Sequence, residues 1–526
     1  MIARGEQILI LILILIAFFL RLVAVKNAET SFDTYGHIYF AKEVKAQKTG
    51  PSGQIVTKVV GSTGFSQPFL WHWLISLFPI DQILRYQKWI NAGLDAGFSL
   101  LVYVIALRLD FTNHTAFYIA LLYLLTPMWF SRLAIGPRIA GLTPRLSSEL
   151  ATNLFFVVTL LPLGLPNWLT LLCGAALSAF VLMSSKFGLQ AMILLVPLTA
   201  LITWHIVPFV ALALGFTVAI GLGRNGFRQS AHTQLNHLIW YFRENAKAAM
   251  PISNRNSLKT LFLRRPVDRS MTLWVGVILH RMIAQNSFTG VVFKMPVLPT
   301  AIALYAATVM RGTVYPPLSL IGPVIAATLV FFLINLPPLL FLGEAERYLN
   351  HVAFFIVTAA VLAATSLGVI WIILPLIVYG LLYWFIESFF LHKFAPVESQ
   401  GRQVADNGVI AFLRSIPQSG VVLGYPYHAG GGAFRIMLET EHKVVFCFTV
   451  SQDFGKMFDT NYAADYPYVK LEMLDELARE FGVTVVIITK KSLVSRGLNH
   501  WVPSFQWQKL DVGQPIYDVY QRVAHE

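Results

Sequence analysis

The chain opens on an almost unbroken apolar run, "ILILILILIAFFLRLVAV" at 8–25. A helix of that length crosses a bilayer core. A basic start and an apolar centre also suit a cleaved signal peptide; a retained anchor is preferred, because the motif that begins at Asp33 needs a tether. Further apolar segments fall at 91–108, 115–130, 147–163, 168–183, 189–204, 206–222, 297–310, 316–336, 351–368 and 369–391. Together they predict eleven transmembrane helices, several short enough to be tilted or re-entrant.

The pattern changes after His392. "GRQVADNGVIAFLRSI" reads as helix, "GVVLGY" as strand, "AFRIMLETE" as helix, "KVVFCFTV" as strand, "KLEMLDELAREFG" as helix and "VTVVIIT" as strand. Such alternation predicts a small α/β domain with a parallel or mixed sheet. The expected fold is therefore a membrane all-α, polytopic helical bundle of about eleven transmembrane helices over 1–392. A C-terminal soluble α/β domain follows over 393–526. Loops 26–90, with interfacial helices, and 223–296 would both be external.

Composition agrees. The 526 residues are 56% hydrophobic and 13% charged, with a mean hydropathy of +0.62, against roughly 25% charged in soluble domains. A water-soluble enzyme is excluded. Two cysteines, Cys173 and Cys447, exclude a disulfide scaffold and a cysteine-rich metal module; both read as inert core residues.

The net charge of +13 is unevenly placed. Residues from Lys393 onward are nearly neutral, with 13 Lys/Arg against 14 Asp/Glu. Within the hydrophobic part, 223–296 holds 11 basic residues against Glu244 and Asp268. A basic loop between hydrophobic spans points to anionic headgroups or a phosphorylated lipid, not to nucleic acid. Simple headgroup anchoring explains the same residues. An odd span count with a cytoplasmic N-terminus puts this loop outside, against the positive-inside rule, which long loops obey poorly.

Candidate chemistry begins at "ETSFDTYGHIYFAKEVKAQKTGP". Ser31 or Asp33 can cap a helix that ends near Gly50-Pro51. Tyr35, Ile38 and Tyr39 give it an apolar stripe suited to lying along a membrane surface. Asp33 could accept a proton from an attacking hydroxyl or amine, ligate a metal, or serve as a plain cap. His37, one turn later on the same face, could tune it. Glu149, an ionisable group at the edge of a span, is a functional candidate by default. It could orient an acceptor, pair with Arg145, or join Asp33 around a cation. His72, His351 and His428 read as packing or interface residues. "HAGGGAFRI" lacks phosphate-loop spacing and reads as a Gly-rich turn.

Several segments in order resemble the GT-C superfamily of polytopic glycosyltransferases, in particular the protein O-mannosyltransferase and aminoarabinose transferase group. Arg21 ends the first span, and Asp33 opens the first external loop. "SQPFLWHWLISLF" matches the family's QPP-hydrophobic helix, with Phe69 in place of the second proline. Ser148-Glu149 matches the Thr/Ser-Glu step, and Lys186-Phe187-Gly188 the Lys-Gly step with one residue inserted. Arg347-Tyr348-Leu349 matches "RYL". The resemblance covers roughly 1–370. Thr34 replaces a frequent second acid, and no W-W-D-Y-G-like motif is present, which argues against an oligosaccharyltransferase catalytic subunit.

The resemblance implies transfer of a sugar from a polyprenyl-phosphate donor to an external lipid, glycan or protein acceptor. Asp33 would be the general base of an inverting attack, with Glu149 and His37 beside it as catalytic candidates. Arg347, Lys186, Arg138 and Arg145 would bind the donor phosphate. Glu346 and Tyr348 would supply an acceptor contact or second acid, with Glu344 a further acidic partner. No cofactor is certain; Asp33, Glu149 and Glu346 are oxygen ligands suited to Mg²⁺ or Mn²⁺, so a divalent cation stays open. The implied location is the plasma (inner) membrane, multi-pass, with site and C-terminal domain on the periplasmic or extracellular side. The alternatives are transfer of an oligosaccharide or other lipid-phosphate-linked group, a lipid or anion transporter or flippase, and a non-enzymatic assembly subunit.

Overall fold

A computed structural model describes the chain except for residues 1–3, 27, 29, 52, 61–66, 132–137, 241, 243–255, 257–281, 284–285, 313–314, 390–396, 427–428, 446–467, 514 and 524–526. Most of the basic 223–296 loop therefore lies outside the described residues, as do Cys447 and His428. Two compact units emerge. The first comprises Met1–Thr30, Arg85–Arg224 and Ile252–Lys393; the second comprises Ser31–Leu84, Asn225–Pro251 and Phe394–Glu526.

In the first unit every one of the eleven apolar segments carries a helix. Length and composition admit six of these as spans: Gln7–Lys26, Ile80–Arg108, Asn167–Ser184, Lys186–Thr203, Val207–Asn236 and Ile370–Phe389. A seventh is the pair Ser287–Lys294 and Val297–Met310, bent by 82°. Three apolar helices, Asn113–Leu125, Leu318–Ile334 and Ala353–Ser366, are shorter. Among the described residues, six or seven of the eleven expected segments thus qualify by length and composition, since a helix rising about 1.5 Å per residue needs some 20 residues to cross; the other four carry helices of 13 to 17 residues.

The short helix Ala353–Ser366 shows what the pattern meant there instead. It is apolar on every side, and Ala353 through Ala364 are all buried, packed against Val297–Met310, Asn113–Leu125 and Leu318–Ile334. A helix without a polar face belongs in the middle of a bundle. Pro144–Leu160, in contrast, carries Glu149 and Asn153 on buried positions and packs against Asn167–Ser184.

The second unit is built on a five-stranded mixed sheet: β1 Val421–Tyr425, β2 Lys443–Val444, β3 Val483–Thr489, β4 Trp507–Leu510 and β5 Tyr517–Arg522, in the order β2-β1-β3-β5-β4. β2, β1 and β3 run parallel, while β5 and β4 add as an antiparallel pair. Hydrophobic alternation revealed the parallel strands; β4 and β5, with Gln508, Lys509, Asp518 and Gln521, gave no such signal. "KVVFCFTV" contributes only Lys443–Val444 as strand, since 446–450 lie outside the described residues. Leu423, Val486, Ile488, Leu477 and Trp507 form the core between sheet and helices.

The first loop belongs to this same unit. Its helix Phe32–Ala46 packs against Leu70–Ser76 and against Ala433–Glu439 of the C-terminal segment. Its buried residues, Thr34, Gly36, Ile38, Tyr39, Phe40, Ala41 and Val44, meet protein on more than one face, so the stripe expected to face a membrane is spent on packing. Val59 pairs in parallel with Val444, extending the sheet edge; Val60 N–H donates to Val444 O and Val444 N–H to Lys58 O, both at 2.9 Å.

Candidate functional site

Within the first unit, a buried ladder of ion pairs links the helices Arg4–Lys26, Ile80–Arg108, Asn113–Leu125 and Pro144–Leu160. Arg21 donates from Nε to Asp95 Oδ2 at 2.5 Å and from Nη1 to Leu124 O at 2.7 Å. Asp95 Oδ1 accepts from Tyr123 Oη at 2.6 Å and from Arg138 Nη1 at 2.9 Å. Arg138 continues the ladder, donating from Nε to Glu149 Oε2 at 2.5 Å, from Nη1 to Trp129 O at 2.7 Å and from Nη2 to Tyr123 Oη at 3.2 Å. Glu149 Oε1 accepts from Arg145 Nε at 2.9 Å and from Asn350 Nδ2 at 3.2 Å.

Each rung is local chemistry made obligatory by burial. Arginine presents donors in a rigid fork that matches a carboxylate, and an unpaired charge in this interior would cost several kcal/mol. Asn91 Nδ2 pins the irregular segment carrying Arg138 by donating to Arg138 O and Gly141 O. Asn153 ties the Glu149 helix to the next element, donating to Asn350 O at 2.9 Å and accepting from Phe354 N–H at 2.9 Å. His351 Nδ1 lies 3.1 Å from Thr152 Oγ1.

Exposure sorts these arginines by duty. The side chains of Arg21 and Arg138 are 0% and 2% exposed, and both pair with Asp95 inside the ladder. Arg145 is 12% exposed, and Arg347, ion-paired through Nε to Glu344 Oε2 at 2.7 Å, is 23% exposed. Arg145 lies within electrostatic reach of both Arg347 and Glu344. Both guanidiniums thus stay partly exposed while paired to a carboxylate.

Lys186 adds a third cation. It is the first residue of the helix Lys186–Thr203, whose cap is Ser185, with Oγ accepting from Gly188 N–H at 3.1 Å. A lysine at the positive end of a helix dipole works against helix stability and favours an anion. Phe187, the residue inserted into the Lys-Gly step, joins this corner to the Arg347 segment. Its ring meets Tyr348 at a tilt, 4.8 Å between centroids, and stacks on His351 at 6.1 Å. The Arg347 guanidinium carbon sits 5.5 Å from the Phe187 centroid. Tyr348 is fully buried, and burial pushes its phenol up. Glu346 is buried, with Oε2 lacking a hydrogen-bond partner among the described residues.

Asp33 and His37 lie in the second unit. Ser31 is the helix cap, its Oγ accepting from Thr34 N–H at 3.2 Å. Asp33 is thus not the cap; it is exposed in the first turn, the end of a helix that suits an acidic side chain. His37 Nδ1 lies 2.8 Å from His72 Nε2 with the rings stacked, so its observed polar partner is another imidazole. His72 is fully buried, edge-on to Phe40 and Phe69. The Phe69 that replaces a family proline is also fully buried.

A divalent cation would need oxygen ligands free to coordinate it. Both Glu149 oxygens are occupied by arginine and asparagine donors, and no group of three His, Cys, Asp or Glu side chains among the described residues could hold one. Of the residues named from sequence, Glu149, Arg138 and Arg145 come together in the ladder, and Lys186, Arg347 and Tyr348 around Phe187. Sequence reasoning missed Asp95 and Phe187. The first was signalled by being the one acid inside the apolar 91–108 run; a lone phenylalanine among many gave no signal.

No family model and no curated protein matches the sequence. Solved structures do. The oligosaccharyltransferase of Archaeoglobus fulgidus, tethered to an acceptor peptide containing the NVT sequon, is similar with a TM-score of 0.54 at 11% identity, over 93% of this chain and 70% of that one. The apo form of ArnT from Cupriavidus metallidurans is similar with a TM-score of 0.53 at 13% identity, over 98% of each chain. The Archaeoglobus oligosaccharyltransferase AglB, solved in complex with an inhibitory peptide and a dolichol-phosphate, gives 0.50 at 11% identity, over 93% of this chain and 70% of that one. Candidate spans and similarity over nearly the whole length agree: this integral membrane protein has the fold seen in the Archaeoglobus oligosaccharyltransferase and in ArnT.

Proposed function

We propose that the chain is a membrane glycosyltransferase that takes a sugar from a polyprenyl-phosphate carrier and passes it to an acceptor outside the cytoplasm. The acceptor oxygen attacks the anomeric carbon from the face opposite the phosphate, the bond from that carbon to the phosphate oxygen breaks, and the configuration inverts. The acceptor's proton passes to the Asp33 carboxylate. The departing lipid phosphate carries the electron pair away as an anion, stabilised by Arg145, Arg347 and Lys186.

The observation that carries this reading is the gradation of exposure among the paired arginines: Arg21 and Arg138 are buried against carboxylates, while Arg145 and Arg347, each also paired to a carboxylate, keep 12% and 23% of their side chains exposed. A dolichol-phosphate bound to an enzyme of the same fold supports a phosphorylated lipid as donor. Arg138 and Glu149 then serve the site by holding Arg145, rather than by touching substrate. No step is assigned to a divalent cation. The comparable similarity to an oligosaccharyltransferase keeps transfer of an oligosaccharide as a second reading.

The test uses the full chain in lipid nanodiscs with radiolabelled monosaccharides on polyprenyl phosphate, measuring release of the free carrier. Asp33→Asn is expected to lower turnover by about 10²–10⁴-fold, the usual worth of a general base, with unchanged thermal unfolding. Wild-type turnover in Asp33→Asn would remove the base from the mechanism.

A further inference from the structure

We infer that the C-terminal segment positions the Asp33 helix, through a reciprocal seating of two phenylalanines on two glycines. The inference rests on the reading of Asp33 as the base, and every residue in it lies in the second unit.

The geometry is reciprocal. A Cβ at Gly36 would stand 2.8 Å from Phe434 Cδ2 and 2.9 Å from its Cε2, so the Phe32–Ala46 helix rests its backbone directly on that ring. In the other direction, a Cβ at Gly432, at the N-cap of Ala433–Glu439, would collide with the Phe32 ring. Gly432 also has φ +86, a conformation that side chains rarely tolerate. The rings of Phe32 and Phe434 meet at 4.8 Å, and Phe40 stands edge-on to Phe434 at 5.4 Å. The Gly-rich turn is thereby accounted for as a landing site for a neighbouring helix.

Polar contacts fix the same register. The Arg435 guanidinium carbon sits 5.3 Å from the Tyr35 centroid; that arginine is itself held by Glu439 at 2.9 Å and Asn407 at 2.6 Å. Lys42 Nζ donates to Leu438 O at 3.1 Å, and Lys58 Nζ to Met437 O at 3.3 Å and Thr440 O at 2.9 Å. Two lysines of the first loop thus cap the carbonyl end of Ala433–Glu439, where a helix favours positive charge. Asp33 stands one turn before Gly36, so a shift of the seat carries the carboxylate with it. A displacement near 1 Å can cost about 10²-fold in rate. Gly36, Phe434 and Gly432 are positioning residues.

Gly36→Ala and Phe434→Ala test this in the full-length protein, read by amide hydrogen exchange and by turnover of the same polyprenyl-phosphate donors. Alanine is the better helix former, so without the ring Gly36→Ala would slow exchange over Phe32–Ala46. With Phe434 in place, exchange there is expected to quicken roughly ten-fold or more, while Pro144–Leu160 keeps its rates. The pair Gly36→Ala/Phe434→Ala, which makes room for the methyl, is expected to return to within about three-fold of wild type. Turnover in Gly36→Ala is expected to fall roughly ten-fold in kcat with donor KM unchanged, and the loss to vanish in an Asp33→Asn background. Slower exchange in Gly36→Ala, or equal kcat losses with and without Asp33, overturns the inference. Wild-type turnover in Asp33→Asn alone overturns the base assignment instead, and the exchange rates still decide the seat.

Discussion

Arg138 and Glu149 meet at 2.5 Å through Nε and Oε2, both side chains essentially out of solvent. The pair joins two halves of a ladder: Arg138 also holds Asp95, and Glu149 also holds Arg145. A buried charge with several partners is costly to orphan, because its desolvation has already been met by those partners.

Asp95→Ala leaves Arg21 and Arg138 facing a vacancy. A stability loss of about 3–5 kcal/mol is expected, seen as a lower thermal-unfolding midpoint in detergent. Asp33→Asn, an exposed change, is expected to stay within about 0.5 kcal/mol of wild type. Equal losses in the two variants would contradict the division into a structural carboxylate and a chemical one.

Arg347 should be sensitive to shape as well as charge. Arg347→Ala removes the fork and the cation over Phe187, and a fall of about 10²–10³-fold in donor turnover is expected, typical of losing one transition-state anion donor. Arg347→Lys keeps the charge but loses the planar stack, and recovers only part of the rate. Phe187→Ala, which leaves every charge in place, is expected to resemble Arg347→Lys. Full activity in Phe187→Ala would show that the ring is packing alone.

Asp406 supplies a pH test away from the membrane. Its Oδ1 accepts from Tyr517 Oη at 2.5 Å, but burial raises its carboxyl above the ordinary range. A raised folded-state value means a stability contribution present in full below the ordinary value of about 4 and lost as pH rises through the folded value. Asp406→Asn keeps an acceptor for Tyr517 without the charge. It is therefore expected to unfold at a higher temperature than wild type at neutral pH, with the advantage shrinking on acidification. A constant difference across pH would rule out ionisation as the cause.

Much of the membrane part was legible in the order of residues. Apolar runs located a helix at each of the eleven segments, and the isolated ionisable residues Arg21, Glu149 and Lys186 marked the places where a bundle carries charge. How many helices can span was not legible. A 14-residue apolar helix such as Ala353–Ser366 has the same local signature whether it faces lipid or lies wholly inside protein. Phe187 and Phe434 were silent for a similar reason: a phenylalanine becomes informative only when the residue it covers, Arg347 or Gly36, is known.

What the sequence alone determined is a chain committed to the bilayer, with an α/β segment after the apolar runs and a sparse set of charges that could do chemistry. Hydropathy and period are local properties, and they suffice for that. Only the tertiary structure decided which charges neutralise one another and which remain partly exposed, and only it joined the first loop to the C-terminal segment. Pairing across 74 residues, as between Arg21 and Asp95, or across about 400, as between Lys42 and Leu438, depends on where helices cross, and chain order does not encode that in any short window.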